Sequence, residues 1–175
     1  MPVPPEIFVV NYIEVGFLVR EGVVEEMMSP LATTTLFPLE YFMEYILPSI
    51  LTTYGKPSQV WLSTYSDAFE EGDLPFILIL IYFDQGVLLS FGTNGEMKNG
   101  LVQGCFSLEP VSSFQLWHPG LYSTFDQATD GKSIANRDYL PLEEATGMDV
   151  TTFYETFKNP DKTVCLETPA NLWKP

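Results

Sequence analysis

The sequence predicts an α+β fold on a mainly antiparallel, four- to six-stranded sheet. A kinked helix is expected on one face, with C-terminal helices and irregular chain on the other. Three observations predict this. The run Phe76–Phe83 is apolar at every position, which describes a strand covered on both faces. Asp84-Gln85-Gly86 follows with hairpin-turn chemistry and leads into a second apolar run, Val87–Phe91. A helical stripe of Leu39, Phe42, Met43 and Ile46 precedes the hairpin.

Neighbouring strand residues point to opposite faces. In the central run both alternating sets are greasy: Phe76, Leu78, Leu80 and Tyr82, then Ile77, Ile79, Ile81 and Phe83. β-Branched and aromatic residues favour strand over helix. A membrane-spanning helix would need about 20 apolar residues. This run has 8 and is bounded by Pro75 and Asp84.

Taken in order, Glu6–Arg20 is rich in Ile, Val, Phe and Tyr, Arg20-Glu21-Gly22 reads as a turn, and Val23-Val24 begins another run. A hairpin over 1–28 is expected, with a helix on Val9, Val10, Ile13 and Phe17 as the competing reading. Pro38–Leu47 reads as helix, with Pro38 and Glu40 suited to its first turn. Pro48 kinks that helix or starts a second one to Tyr54, and Gly55 and Pro57 stop it. Gln59–Tyr65 alternates as a strand, and Ser66–Asp73 is an acidic loop. After the central hairpin, Thr93–Gly100 reads as a polar turn and Leu101–Leu108 as a further strand.

From Glu109 the chain reads as irregular, and Asp126–Asp138 as a polar surface loop. A short helix is expected at Leu140–Thr146, ended by Gly147. Asp149 is placed to cap a helix over Val150–Phe157, with Val150, Phe153, Tyr154 and Phe157 on one face. In the tail, Val164, Leu166, Leu172 and Trp173 are expected to dock on the body. The whole chain, 1–175, reads as a single domain: an N-terminal hairpin (1–28), a helix-plus-meander core (38–108) and a C-terminal covering segment (109–175).

Composition narrows the function. A hydrophobic fraction of 46% with 14% aromatics supports a substantial core. Net charge is −15, from 23 acidic and 8 basic residues, so phosphate neutralisation on nucleic acid is not expected. An anionic membrane surface is disfavoured for the same reason. Met1-Pro-Val-Pro-Pro lacks the basic and apolar regions of an export signal, although a methionine placed after a removed signal would read the same way. The compartment is therefore open between cytoplasmic and extracytoplasmic.

No cofactor, metal or catalytic residue is expected. His118 is the only imidazole and sits in the turn-like string Leu116–Gly120, where a structural or surface role is the default. Cys105 and Cys165 form no CxxC; they read equally as a disulfide or as two buried thiols. Asp126, Asp130, Asn136 and Asp138 lack the spacing of a calcium loop. The glycines of Gly92–Gly104 lack phosphate-loop spacing. The acidic pairs Glu25-Glu26, Glu70-Glu71 and Glu143-Glu144 read as solvated charge. The aromatic residues read first as core. The candidate partner-binding residues are Asp67, Glu70, Glu71 and Asp73, with Trp61 and Trp117.

The stretch Leu47–Phe91 carries a helix, then Tyr54-Gly55-Lys56-Pro57, then Val60-Trp61-Leu62, then Tyr82-Phe83-Asp84-Gln85-Gly86-Val87. It resembles small bacterial domains of the SmpA/BamE and β-lactamase-inhibitor-protein type. These place a Gly-x-Pro step between a helix and a β-meander and end a strand in an aromatic-Asp-x-Gly turn. The resemblance covers about a quarter of the chain, without a lipobox cysteine. It implies an extracytoplasmic α+β module that binds proteins, and it carries over no catalytic residues. The expectation is thus a non-enzymatic binding or structural protein of bacterial type acting through an unidentified protein partner. The alternatives are an acidic decoy for a basic partner and a hydrolase with a carboxylate pair.

Overall fold

The computed structural model describes residues 6–10, 15–30, 43–64, 74–106, 109–130, 138–159 and 165–173. The fold is α+β and mainly sheet, as expected. The strands are β1 (Glu6–Val10), β2 (Val15–Arg20), β3 (Val23–Pro30), β4 (Gln59–Thr64), β5 (Leu74–Tyr82), β6 (Val87–Lys98), β7 (Leu101–Cys105), β8 (Val111–Trp117), β9 (Leu140–Pro141) and β10 (Cys165–Pro169). The helices are α1 (Leu47–Tyr54), α2 (Phe125–Thr129), α3 (Leu142–Thr146) and α4 (Val150–Phe157). Among the described residues the sheet has ten strands rather than four to six, and every pairing is antiparallel.

The sheet runs β1-β2-β3-β8-β6-β5-β4-β9. Its axis is β6, which takes β5 along one edge from Tyr82↔Val87 to Leu74↔Gly95. Its other edge divides: Val87–Phe91 pairs with β8 and Gly95–Lys98 with β7, which carries β10. Phe106, fully buried, lies in the chain between these two branches.

Both faces of the central hairpin are covered. On one face Phe76, Leu78, Leu80, Tyr82, Val60 and Leu62 pack with α1 (Leu47, Ile50, Leu51) and α4 (Phe153, Phe157). On the other, Ile77, Ile79, Ile81 and Leu88 pack with Trp117 and Ala128, and Trp61, Tyr122, Phe125 and Tyr139 lie against them. The C-terminal third does cover the hairpin, but it divides between the faces. The stretch holding Trp117, Tyr122, Phe125 and Ala128 covers the isoleucine face. The chain then adds β9 to the edge of β4 and turns onto the other face, where α3 and α4 join α1. The expectation of C-terminal helices and irregular chain opposite α1 holds for α2 and the chain before it, while α3 and α4 lie on the same face as α1.

Of the two expectations for Pro48, a kinked helix or a second helix to Tyr54, the structure shows the second. Met43–Tyr45 form a 3-10 turn, Ile46 is extended (φ −74°, ψ 156°) and bridges Pro110, and α1 starts afresh with Pro48 in its first turn. Proline is preorganised there, where its missing N–H costs no bond. Residues 38–42 lie outside the described residues.

The polar stretch after the hairpin is mostly strand. Only Asn99 (φ 52°) and Gly100 (φ 80°) turn, as the two left-handed positions of a type I′ hairpin. Glu21 (φ 52°) and Gly22 (φ 79°) do the same between β2 and β3, so the N-terminal hairpin is the second half of a three-stranded ribbon. Glu109–Trp117, expected to be irregular, contains β8, an interior strand between β3 and β6. Its register shifts opposite Ser112, whose hydroxyl donates to the Ser90 carbonyl at 2.9 Å. That bulge satisfies the serine where an apolar residue would otherwise sit.

Cys105 and Cys165 form a disulfide and are direct register partners on β7 and β10, with Cα atoms 4.1 Å apart. This is the close spacing of a non-hydrogen-bonded antiparallel pair. In the tail, Leu166 and Trp173 dock as expected, Leu172 stays 41% exposed, and Val164 lies outside the described residues. Thr168 donates to the Ala145 carbonyl (2.7 Å) and accepts from the Trp173 indole (3.0 Å).

The Asp149 cap forms as expected. Its carboxylate accepts from the Thr152 N–H at 2.8 Å and the Thr152 hydroxyl at 3.1 Å. These bonds, the backbone one first, hold the carboxyl below the usual aspartate range. A depressed folded-state pKa stabilises fully above the unfolded value of about 4 and loses that effect as pH falls through the folded value. Asp149→Ala is expected to lower the melting temperature, and Asp149→Asn to lower it less. The gap between wild type and the Asn variant should hold from neutral pH down to about pH 5 and then close; thermal melts across pH check this, and a gap unchanged in strong acid would rule out the carboxylate's contribution.

Candidate binding cleft beside the first helix

The exposed side of α1 bounds a cleft of about 820 Å³. Leu47, Ile50 and Leu51 turn into the core, which leaves Ser49, Thr52 and Thr53 on the cleft wall. The floor is sheet. Val87 and Leu89 of β6 stand beside their register partners Leu116 and Phe114 of β8, with Val111 beyond. Glu44, Tyr45, Pro48, Tyr54 and an edge of Ile50 complete the described lining. Beside it, Met43 and Tyr45 expose 43% and 47% of their surface.

Hydrogen bonding gives the wall a polarity. The Ser49 hydroxyl donates to the Met43 carbonyl at 2.7 Å, and the Thr52 hydroxyl to the Pro48 carbonyl at 2.8 Å. Their protons are directed into the backbone and their lone pairs outward. Behind Tyr54, the Tyr82 ring lies 5.5 Å away and its hydroxyl donates to the Gly55 carbonyl at 3.2 Å. Burial, and then the neighbouring Tyr154 and Tyr54, push the Tyr82 hydroxyl well above the usual phenol range, so it stays a donor.

Among the described residues the lining contains one carboxylate, Glu44, and no imidazole, thiol, amine or guanidinium. It offers an apolar floor, aromatic edges and acceptor oxygens, and no pair of groups for acid–base or covalent chemistry. Among the described residues no three His, Cys, Asp or Glu side chains gather to hold a metal, and no helix is long and apolar enough to cross a membrane.

No family model matches the chain, and neither does any curated protein or solved structure.

The tryptophans singled out in the sequence lie outside this lining. Asp67, Glu70, Glu71 and Asp73 fall outside the described residues. Trp61 lies on the isoleucine face, its ring stacked on Phe125 at 4.0 Å and its indole donating to Gln59 at 2.9 Å. Trp117 is on that same face, 5% exposed, with Tyr122 against it at 5.4 Å. Both tryptophans fill core, and Trp117 presents almost no surface to a partner. His118 is exposed, with Nδ1 2.8 Å from the Pro119 carbonyl. Glu25 and Glu26 diverge as strand neighbours do: Glu25 pairs with Arg20 at 3.1 Å, while Glu26 is buried and accepts from Tyr122 at 2.8 Å.

Sequence reasoning missed the cleft because its floor is half β8. Phe114 and Leu116 alternate with Gln115 and Trp117, a period-2 signal hidden behind Pro110, Ser112 and Ser113.

Proposed function

We propose that this protein is a non-enzymatic binding module that acts through protein–protein contacts, with the cleft beside α1 as its contact surface. One observation carries the reading: a cleft of about 820 Å³ whose floor is apolar sheet and whose described lining residues include a single carboxylate. That size and lining suit a bound side chain or short segment, since such sites are typically a few hundred to about 1,000 Å³ and mostly apolar. The exposed Met43 and Tyr45 beside it extend the apolar surface.

The disulfide supports an oxidising compartment, because cytosolic thiols are kept reduced. That agrees with the extracytoplasmic role implied by the SmpA/BamE and β-lactamase-inhibitor-protein type. The proposed kinship leans on the Gly55-Lys56-Pro57 step after α1 and the Asp84-Gln85-Gly86 turn between β5 and β6.

Thr53 is exposed on the wall, so Thr53→Trp adds bulk to the cleft without entering the core. Peptides selected from a random display library on the wild-type protein are expected to lose binding to this variant while its melting temperature stays unchanged. Binders that hold both proteins equally well would place the contact surface elsewhere.

A further inference from the structure

The occupant can be narrowed by the cleft's polarity, an inference that rests on the reading just given. We propose that the cleft takes a protein segment in which an apolar side chain is flanked by lysine or arginine.

Three features of the lining converge on this. Glu44 is the only carboxylate among its described lining residues, and no lysine or arginine is among them. The Ser49 and Thr52 hydroxyls give their protons to the Met43 and Pro48 carbonyls, so what they turn towards a ligand are acceptor lone pairs. Tyr45 and Tyr54 add aromatic rings to the lining, and an aromatic ring attracts a cation that reaches its face. A carboxylate or phosphate would find donors in the Thr53, Tyr45 and Tyr54 hydroxyls but would meet the like charge of Glu44 and the lone pairs of Ser49 and Thr52. An ammonium or guanidinium would meet acceptors, a carboxylate and π faces. The net charge of −15 adds a long-range field of the same sign, which speeds the approach of a cationic partner.

Neither charge nor floor suffices alone. Glu44 is exposed, and an exposed ion pair contributes little by itself. The floor of Val87, Leu89, Phe114 and Leu116 supplies apolar burial, and the rim supplies the choice of sign. Lysine and arginine suit this division, because their stems lie along apolar surface while their heads reach the rim.

The test uses three acetylated, amidated peptides sharing a leucine–phenylalanine–leucine centre, flanked by lysines, glutamines or glutamates. Binding to the full chain is measured by calorimetry at low and at high salt. The lysine peptide is expected to bind about tenfold more tightly than the glutamate peptide, with the glutamine peptide between and the spread shrinking in salt. Glu44→Gln should reduce that spread to about threefold, and Thr53→Trp should weaken all three.

If none of the peptides binds, the cleft reading itself fails, and the occupant with it. Equal binding of all three overturns the occupant and leaves the cleft standing. A spread undiminished in Glu44→Gln shows that the chain's overall charge, not this rim, makes the choice, and overturns the assignment to the cleft. Decylammonium binding as tightly as the lysine peptide overturns a protein segment as the occupant.

Discussion

Replacing Cys105 and Cys165 together by serine is expected to cost about 4 kcal/mol of stability and to lower the melting temperature by roughly 10–15 °C. The disulfide closes a loop of 60 residues, and chain-entropy loss in the unfolded state accounts for a figure of that size. The bridge ties the start of β10 to β7, and the rest of that strand is held by its ladder with β7, the Gln103–Glu167 and Thr168–Ala145 hydrogen bonds and contact with α3. β10 pairs only with β7, yet it brings Leu166, Thr168 and Trp173 into the core. Thermal melts of the wild type with and without reductant, and of the double-serine variant, measure the effect. A midpoint that moves by less than about 2 °C in both comparisons would mean the bridge contributes almost nothing.

Gly104→Ala is expected to destabilise by about 3 kcal/mol, the upper end for overpacking, although it adds one methyl group. A β-carbon at Gly104 would overlap the Phe76 ring. That ring cannot retreat: Phe76 is fully buried, with Phe106 at 5.7 Å and Gly95 close by. Phe76→Ala alone should cost about 3–5 kcal/mol by leaving a void. The two changes together should cost less than their sum, because the void receives the new methyl group. Urea unfolding of the four proteins gives the coupling. Strict additivity, or a Gly104→Ala cost below about 0.5 kcal/mol, would show that the ring does not sit over Gly104.

The same two positions show what the sequence could and could not reveal. Phe76 was legible, because an unbroken apolar run dictates two covered faces whatever covers them. The glycines of Gly92–Gly104 were visible as a cluster, but their purpose was not. Gly104 makes room for a ring 28 residues earlier in the chain, a contact no local pattern encodes. The turn at Asp84-Gln85-Gly86 and the Asp149 cap were legible because their chemistry is local. Asn99-Gly100 carried an equally local hairpin signal, overlooked because the polar residues before it read as loop. In β6 those residues lie beyond the covered part of the strand, where polarity is expected.

The cleft was illegible for a different reason. Its wall comes from α1 and its floor from β6 and β8, so the residues that make it are scattered from Glu44 to Leu116. Each reads alone as an ordinary helix or strand position. Only the pairing of Val87 with Leu116 and of Leu89 with Phe114 brings them together. The acidic residues and tryptophans stood out by composition, and composition does not report position.

The sheet order also bears on synthesis. β3 ends at Pro30, and its neighbour β8 begins at Val111, about 80 residues later. At roughly 5–20 residues per second, a ribosome needs about 4–16 s to supply that neighbour. Through this interval the β1–β3 ribbon has no dock, and small ribbons are marginally stable in water. A nascent chain of this protein therefore passes seconds with its first strands unfinished, a window in which chaperones or a secretion channel can hold it before the late strand arrives.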